Sequence, residues 1–178
     1  FNVSFVADGT TVSKEMICEG GTLSVPEDPS KSGYAFAGWG FGDQGTAYDF
    51  TAPGAAVVSA DMTFTALWVQ SIESGVVSEA EVVTSYTGTD LQNDGSMTTA
   101  TSFTIDVSDV QEQISGTLLS VRVDGQTYET VSYDSGIITV TADLAATMFG
   151  QKPYVALFED GGQMMYVSGE ILFITMKI

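Results

Sequence analysis

Any chemistry in this chain must be carried by carboxylates, hydroxyls and one thiol, because its 178 residues include no histidine. Without imidazole, Ser–His–Asp and Cys–His arrangements are unavailable, and so is the commonest transition-metal ligand. Neither a GxxxxGK[ST] run nor a Rossmann fingerprint occurs. GWGFGDQG at 38–45 is Gly-rich, but it lacks the lysine and the following helix that a phosphate cradle needs, so it reads as a loop. Carboxylate pairs are what remain. The candidates are Glu15 with Glu19, four apart on an expected strand and so on one face, and Glu79 with Glu81. Two such groups can run glycoside hydrolysis only when one is held protonated in a pocket. Nothing around either pair signals one, and a solvated strand surface is the better reading. The chain is therefore read as no enzyme.

Oxygen ligands could also hold calcium, which takes about 6–8 of them. Asp90, Asn93 and Asp94 cluster before Gly95, without DxDxDG spacing. The ligand count favours a plain turn over a structural calcium ion, and no other cofactor is expected. Cys18 is the only cysteine, so no intrachain disulfide can form. On a strand it reads as a small buried hydrophobe rather than a nucleophile.

The elements that would position these groups are strands. Asn2–Val6 alternates, with Val3 and Phe5 on one face, and Asp8-Gly9 is a hairpin turn signal. Val12–Cys18 reads as the partner strand. Pro26 and Pro29 enforce an extended connection. Met62, Phe64, Ala66 and Trp68 alternate along a final strand. From Val69 to Gly75 the residues turn small and polar, which reads as a linker over 69–75 between a domain at 1–68 and another at 76–178. In the second, Phe103, Ile105 and Val107, then Leu119, Val121 and Val123, each alternate with polar residues, the pattern of half-buried strands. Asp124-Gly125, Asp134-Ser135-Gly136 and Glu159-Asp160-Gly161-Gly162 are turn signals, and Asp143–Met148 reads as a short helical turn. The expectation is about seven strands in an Ig-like antiparallel β-sandwich.

Net charge is −18, from 23 acidic and 5 basic residues. It divides as 2 − 8 = −6 over residues 1–68 and 3 − 15 = −12 over 69–178. Such a surface repels phosphate backbones and anionic lipid, so nucleic acid is not an expected partner. No apolar run approaches the ~20 residues of a membrane span, and no direct membrane insertion is expected. The strand-like ends of the chain suggest a piece of a longer polypeptide.

The first domain resembles the Listeria–Bacteroides repeat, also called the internalin B-repeat. The resembling stretches are NVSFVADG at 2–9, EGGTL at 19–23, VPEDPSKSGYAFAGW at 25–39, YDF at 48–50 and DMTFTALW at 61–68. The resemblance implies a small β-grasp-like module and a bacterial surface or secreted protein, with no catalytic residues. It also implies core positions for Tyr34, Phe36, Trp39 and Trp68. After Trp39 the chain departs from the family pattern, reading Gly40-Phe41-Gly42 where an aromatic normally follows. That departure makes Phe41 and Tyr48 the first place to look for a bound sugar or protein. Residues 118–162 resemble Ig-like modules that sit beside carbohydrate-binding modules.

Taken together, the sequence is mainly β: a β-grasp-like domain followed by an Ig-like sandwich. It reads as a non-catalytic stalk and adhesion segment, extracellular, either wall-attached or secreted. Its expected partner is a surface protein or glycan of the host or the bacterium. The runner-up is a glycan-binding accessory module of a secreted carbohydrate-active protein.

Overall fold

The computed structural model describes residues 1–84, 102–142 and 149–177. It divides into two compact units, Phe1–Gln70 and Ser71–Ile178, each with its own hydrophobic core.

In the first unit, β1 (Asn2–Ala7) and β2 (Thr10–Met16) form an antiparallel hairpin. Its central turn residues, Asp8 and Gly9, have φ of 49° and 78°. Positive φ at both positions is the turn geometry whose twist matches paired strands, and Asp-Gly is one of the few pairs that adopts it cheaply. β3 (Tyr34–Phe41) and β4 (Met62–Gln70) complete a sheet in the order β2-β1-β4-β3. β1 and β4, the first and last strands, are parallel neighbours at its centre, with Val3 opposite Met62 and Phe5 opposite Phe64. This is the small β-grasp-like sheet that the resemblance to the repeat implied.

The core of this unit is aromatic. Val3 and Phe5 from β1, Phe36 and Trp39 from β3, and Phe64 and Ala66 from β4 are all buried. Leu23 and Val58 from the long connections join them from the other side. Phe36 and Trp39 are three apart, so strict alternation would place them on opposite faces. The pairing with β4 slips between Phe36 and Gly38, where Gly38 takes φ of 123°, and this bulge turns both rings inward. Phe5 then stacks on Phe64 at 5.0 Å and meets the edge of Trp39 at 5.0 Å.

β2 ends earlier than the sequence implied. The chain turns at Cys18, whose carbonyl accepts the Gly21 N–H at 2.9 Å, and Gly20 has φ of 79°. Cys18 is consequently exposed and off the strand, not a buried hydrophobe.

The second unit packs two sheets face to face. Its strands are β5 (Ile72–Glu73), β6 (Ser78–Thr84), β7 (Ser102–Asp106), β8 (Thr117–Val123), β9 (Gln126–Tyr128), β10 (Val131–Asp134), β11 (Ile137–Thr141), β12 (Gly150–Asp160) and β13 (Gln163–Lys177). One sheet runs β10-β11-β7; the other runs β5-β13-β12-β8-β9, with β6 also paired to β13. Phe103 and Ile105 of β7 and Ile138 and Val140 of β11 face Val121 and Val123 of β8, Tyr154, Ala156 and Phe158 of β12, and Val167, Ile171 and Phe173 of β13. Strict alternation along β12 sets this core: Tyr154, Ala156 and Phe158 are buried while Val155 and Leu157 are half-exposed.

Several details differ from the sequence expectation. The stretch 69–75 is not free chain, because β4 continues to Gln70 and Ile72–Glu73 pairs with β13. The expected strand at 128–133 is two strands, broken at Glu129-Thr130. The sheet is not purely antiparallel, since β5 and β6 both run parallel to β13. A 3-10 helix at Ser108–Gln113 was not foreseen. It starts where Asp106 accepts the Ser108 N–H at 2.9 Å, and it buries Val110. The expected helical turn at Asp143–Met148 lies outside the described residues.

Candidate functional site

Phe41 and Tyr48, singled out as ligand-facing, are placed in the aromatic cluster of the first unit. Gly40 and Phe41 belong to β3, and the Tyr48 N–H donates to the Trp39 carbonyl at 2.7 Å, which draws the loop back onto the sheet. The two rings lie 5.8 Å apart, and each packs on Phe64, at 5.5 Å and 5.3 Å. The Tyr48 hydroxyl donates to the Ala55 carbonyl at 3.0 Å. Both rings are half-buried, with their polar and apolar contacts directed into the unit.

The carboxylate pairs do not assemble a site. Glu15 lies on β2, but Glu19 lies within the turn beyond its end, so the two do not share a strand face. Glu79 and Glu81 are both exposed on β6, opposite Leu172 and Ile174. Among the described residues, no group of three or more carboxylate and thiol side chains is placed to hold a metal ion. Asp90, Asn93 and Asp94 lie outside the described residues.

Two polar clusters were invisible in the sequence. At one end of the first sheet, the Lys31 ammonium pairs with Asp8 at 2.8 Å and sits 4.8 Å from the Tyr34 ring and 5.5 Å from the Trp68 ring. The cation occupies the faces that a stacked ligand would use. Asp8, the Lys31–Tyr34 pair and Trp68 come from three separate segments, which the sheet brings together.

The second cluster lies where β5 leads to β6. Ser74 donates its N–H to the Ser168 carbonyl at 2.8 Å and its hydroxyl to Asp109 at 2.8 Å. The second oxygen of Asp109 accepts the Gly75 N–H at 2.8 Å, and Ser71 and Ser168 share a hydrogen bond at 2.6 Å. Ser78 accepts the Asp106 N–H at 2.7 Å. The Tyr154 hydroxyl, wholly buried, points toward Ser74 without completing a hydrogen bond. Burial, reinforced by the charges of Asp109 and Asp106, pushes this phenol far above its ordinary value despite the opposing influence of Ser74. Asp106 is held below the usual carboxylate range by the hydroxyl and N–H of Ser108. These groups fasten backbone: the Ser74 and Gly75 N–H groups, the Ser168 carbonyl and the Asp106 N–H are all held in hydrogen bonds.

Residues 1–67 match the Listeria-Bacteroides repeat domain. The match ends within β4 and includes every buried aromatic of the first core. No curated protein matches the chain. The repeat suggests a module of a bacterial surface protein, and the family is typically non-catalytic. No helix among the described residues is long and apolar enough to cross a membrane.

Proposed function

We propose that this chain is a non-catalytic stalk segment of an extracellular bacterial protein, wall-attached or secreted, which carries an adhesive or otherwise active part away from its anchor point. The repeat match over residues 1–67 carries this reading. The economy of the junction supports it. β4 ends at Gln70, β5 begins at Ile72, and the intervening Ser71 is hydrogen-bonded to Ser168. Segments 74 and 75 are then tied to Asp109. A spacer benefits from spending few residues on free chain, since flexible linkers gain reach only as the square root of their length. The charge of −18 supports it further, as a strongly anionic surface stays solvated and resists self-association.

The test is labelling of intact cells that make the natural full-length protein. Antibodies raised against residues 1–178 are expected to bind unpermeabilised cells or the culture supernatant. Signal seen only after permeabilisation overturns the reading.

A further inference from the structure

In both units the strand through which the chain enters is paired in parallel with the strand through which it leaves. In the first unit these are β1 and β4, matched from Val3 opposite Met62 to Val6 opposite Thr65. In the second they are β5 and β6 against β13. Ile72 lies opposite Val167, and the seven residues of β6 run beside β13 from Ser78 opposite Ile171 to Thr84 opposite Lys177. The two units differ in sequence, sheet number and core, yet share this one relationship.

It has a mechanical consequence. When a chain is pulled at its ends, the entering strand is drawn toward its own N-terminus and the leaving strand toward its own C-terminus. For parallel neighbours these motions slide one strand along the other. The evenly spaced, slanted hydrogen bonds of a parallel ladder are then strained together. An antiparallel hairpin pulled at its open end behaves differently, because its bonds break one pair at a time. Forced unfolding is governed by the barrier to leaving the native state, and a barrier that requires many bonds to fail at once is high.

We propose that each unit is a shear clamp, so that the chain bears tension along its length. This deepens the stalk reading and rests on it for its biological meaning, although the clamp is a property of the fold alone. The hydrogen bonds from Ser71, Ser74 and Gly75 to Ser168 and Asp109 lie where load enters the second unit. In the first unit, Asp61, just ahead of β4, accepts the N–H of Asn2 at 2.8 Å and pins the entry of β1 to the start of β4. The side chains buried beneath both clamps, Val3, Phe5 and Phe64 in one and Val167, Ile171 and Phe173 in the other, resist sliding because they interlock with the core.

Single-molecule force spectroscopy on the full chain tests the proposal. Handles at the two ends load both clamps in shear, and two unfolding steps are expected, releasing about 24 nm and about 37 nm of chain at ~3.4 Å per residue before subtracting the folded lengths. A second geometry uses Phe149→Cys with the C-terminal end, in a Cys18→Ser background because Cys18 is exposed. Phe149 is 65% exposed and precedes Gly150, which lies opposite Phe173, so this pull peels β13 from β12 at their open end. The larger step is expected at severalfold higher force in the end-to-end geometry than in the peeling one. Equal forces in the two geometries overturn the clamp in the second unit, and a first-unit step weaker than the peeling step overturns it there. Neither result bears on the cell-labelling test of the stalk reading, so the two ideas fail separately.

Discussion

Asp109 holds Ser74 through its hydroxyl and the neighbouring Gly75 through its backbone N–H, both at 2.8 Å. One carboxylate on a 3-10 turn thereby anchors the segment between β5 and β6. Asp109→Ala removes both acceptors and leaves the Gly75 N–H to water. The expected cost is about 1.5–3 kcal/mol in the second unit, the range for hydrogen bonds to a charged group. Chemical denaturation of the variant checks it, and the first unit should unfold as before.

Gly169 leaves room for a ring. A Cβ at that position would lie 2.6 Å from the Tyr154 hydroxyl and 2.9 Å from two ring carbons. Tyr154 is fully buried and lies directly across the β12–β13 pair, so it has nowhere to move. Gly169→Ala is expected to destabilise the second unit by about 1–3 kcal/mol, as overpacking does. Tyr154→Phe takes away a buried hydroxyl that completes no hydrogen bond, and should be close to neutral. Combined with Gly169→Ala it should recover part of the loss. A double-mutant cycle measured by thermal or urea unfolding reads the coupling directly.

Phe41 and Tyr48 separate a core role from a ligand role. Tyr48→Phe deletes the bond to Ala55 and should cost about 1 kcal/mol. Phe41→Ala removes a half-buried ring from a contact with Phe64, and should cost about 2–3 kcal/mol, less than the full value for a buried aromatic. Both changes are expected to lower the melting temperature of the first unit. If either leaves stability unchanged but abolishes binding to a surface glycan, the ring serves a ligand instead.

Acid should loosen the second unit through Asp106. The hydroxyl and N–H of Ser108 stabilise its carboxylate and lower its pKa in the folded state. For a depressed carboxylate, the contribution is fully present above the unfolded pKa, near ~4, and is lost as pH falls through the lower folded value. Asp106→Asn should therefore be less stable than the natural chain at neutral pH, with the difference shrinking below about pH 4. Urea melts of both proteins across that range measure the trend.

Much of this architecture was legible because alternation reports which face of a strand is buried. Val3 with Phe5, Phe103 with Ile105, and Val121 with Val123 were all placed correctly on inward faces. Turn chemistry was equally plain at Asp8-Gly9 and Asp124-Gly125, where both residues adopt positive φ. Alternation cannot name a strand's neighbour, however. The parallel partnerships of β1 with β4 and of β6 with β13 join residues far apart in sequence, and nothing local encodes them. Two-residue β5 carries too few side chains to show a period. The 3-10 helix carries one buried side chain, Val110, so it shows no helical repeat. The Lys31 and Asp109 clusters went unseen for the same reason as the strand pairings: each depends on contacts between distant segments.

The most direct test of the account is an exchange within the natural full-length protein. Residues 1–178 are replaced by an unrelated folded β module pair of similar length, and separately by a Gly/Ser-rich chain of equal residue number, and the attachment of living cells to their natural surface is measured. A stalk predicts that the folded replacement restores attachment and the flexible one does so poorly. Loss of attachment with the folded replacement, at undiminished surface display, would show that these residues bind a partner themselves and would contradict the account.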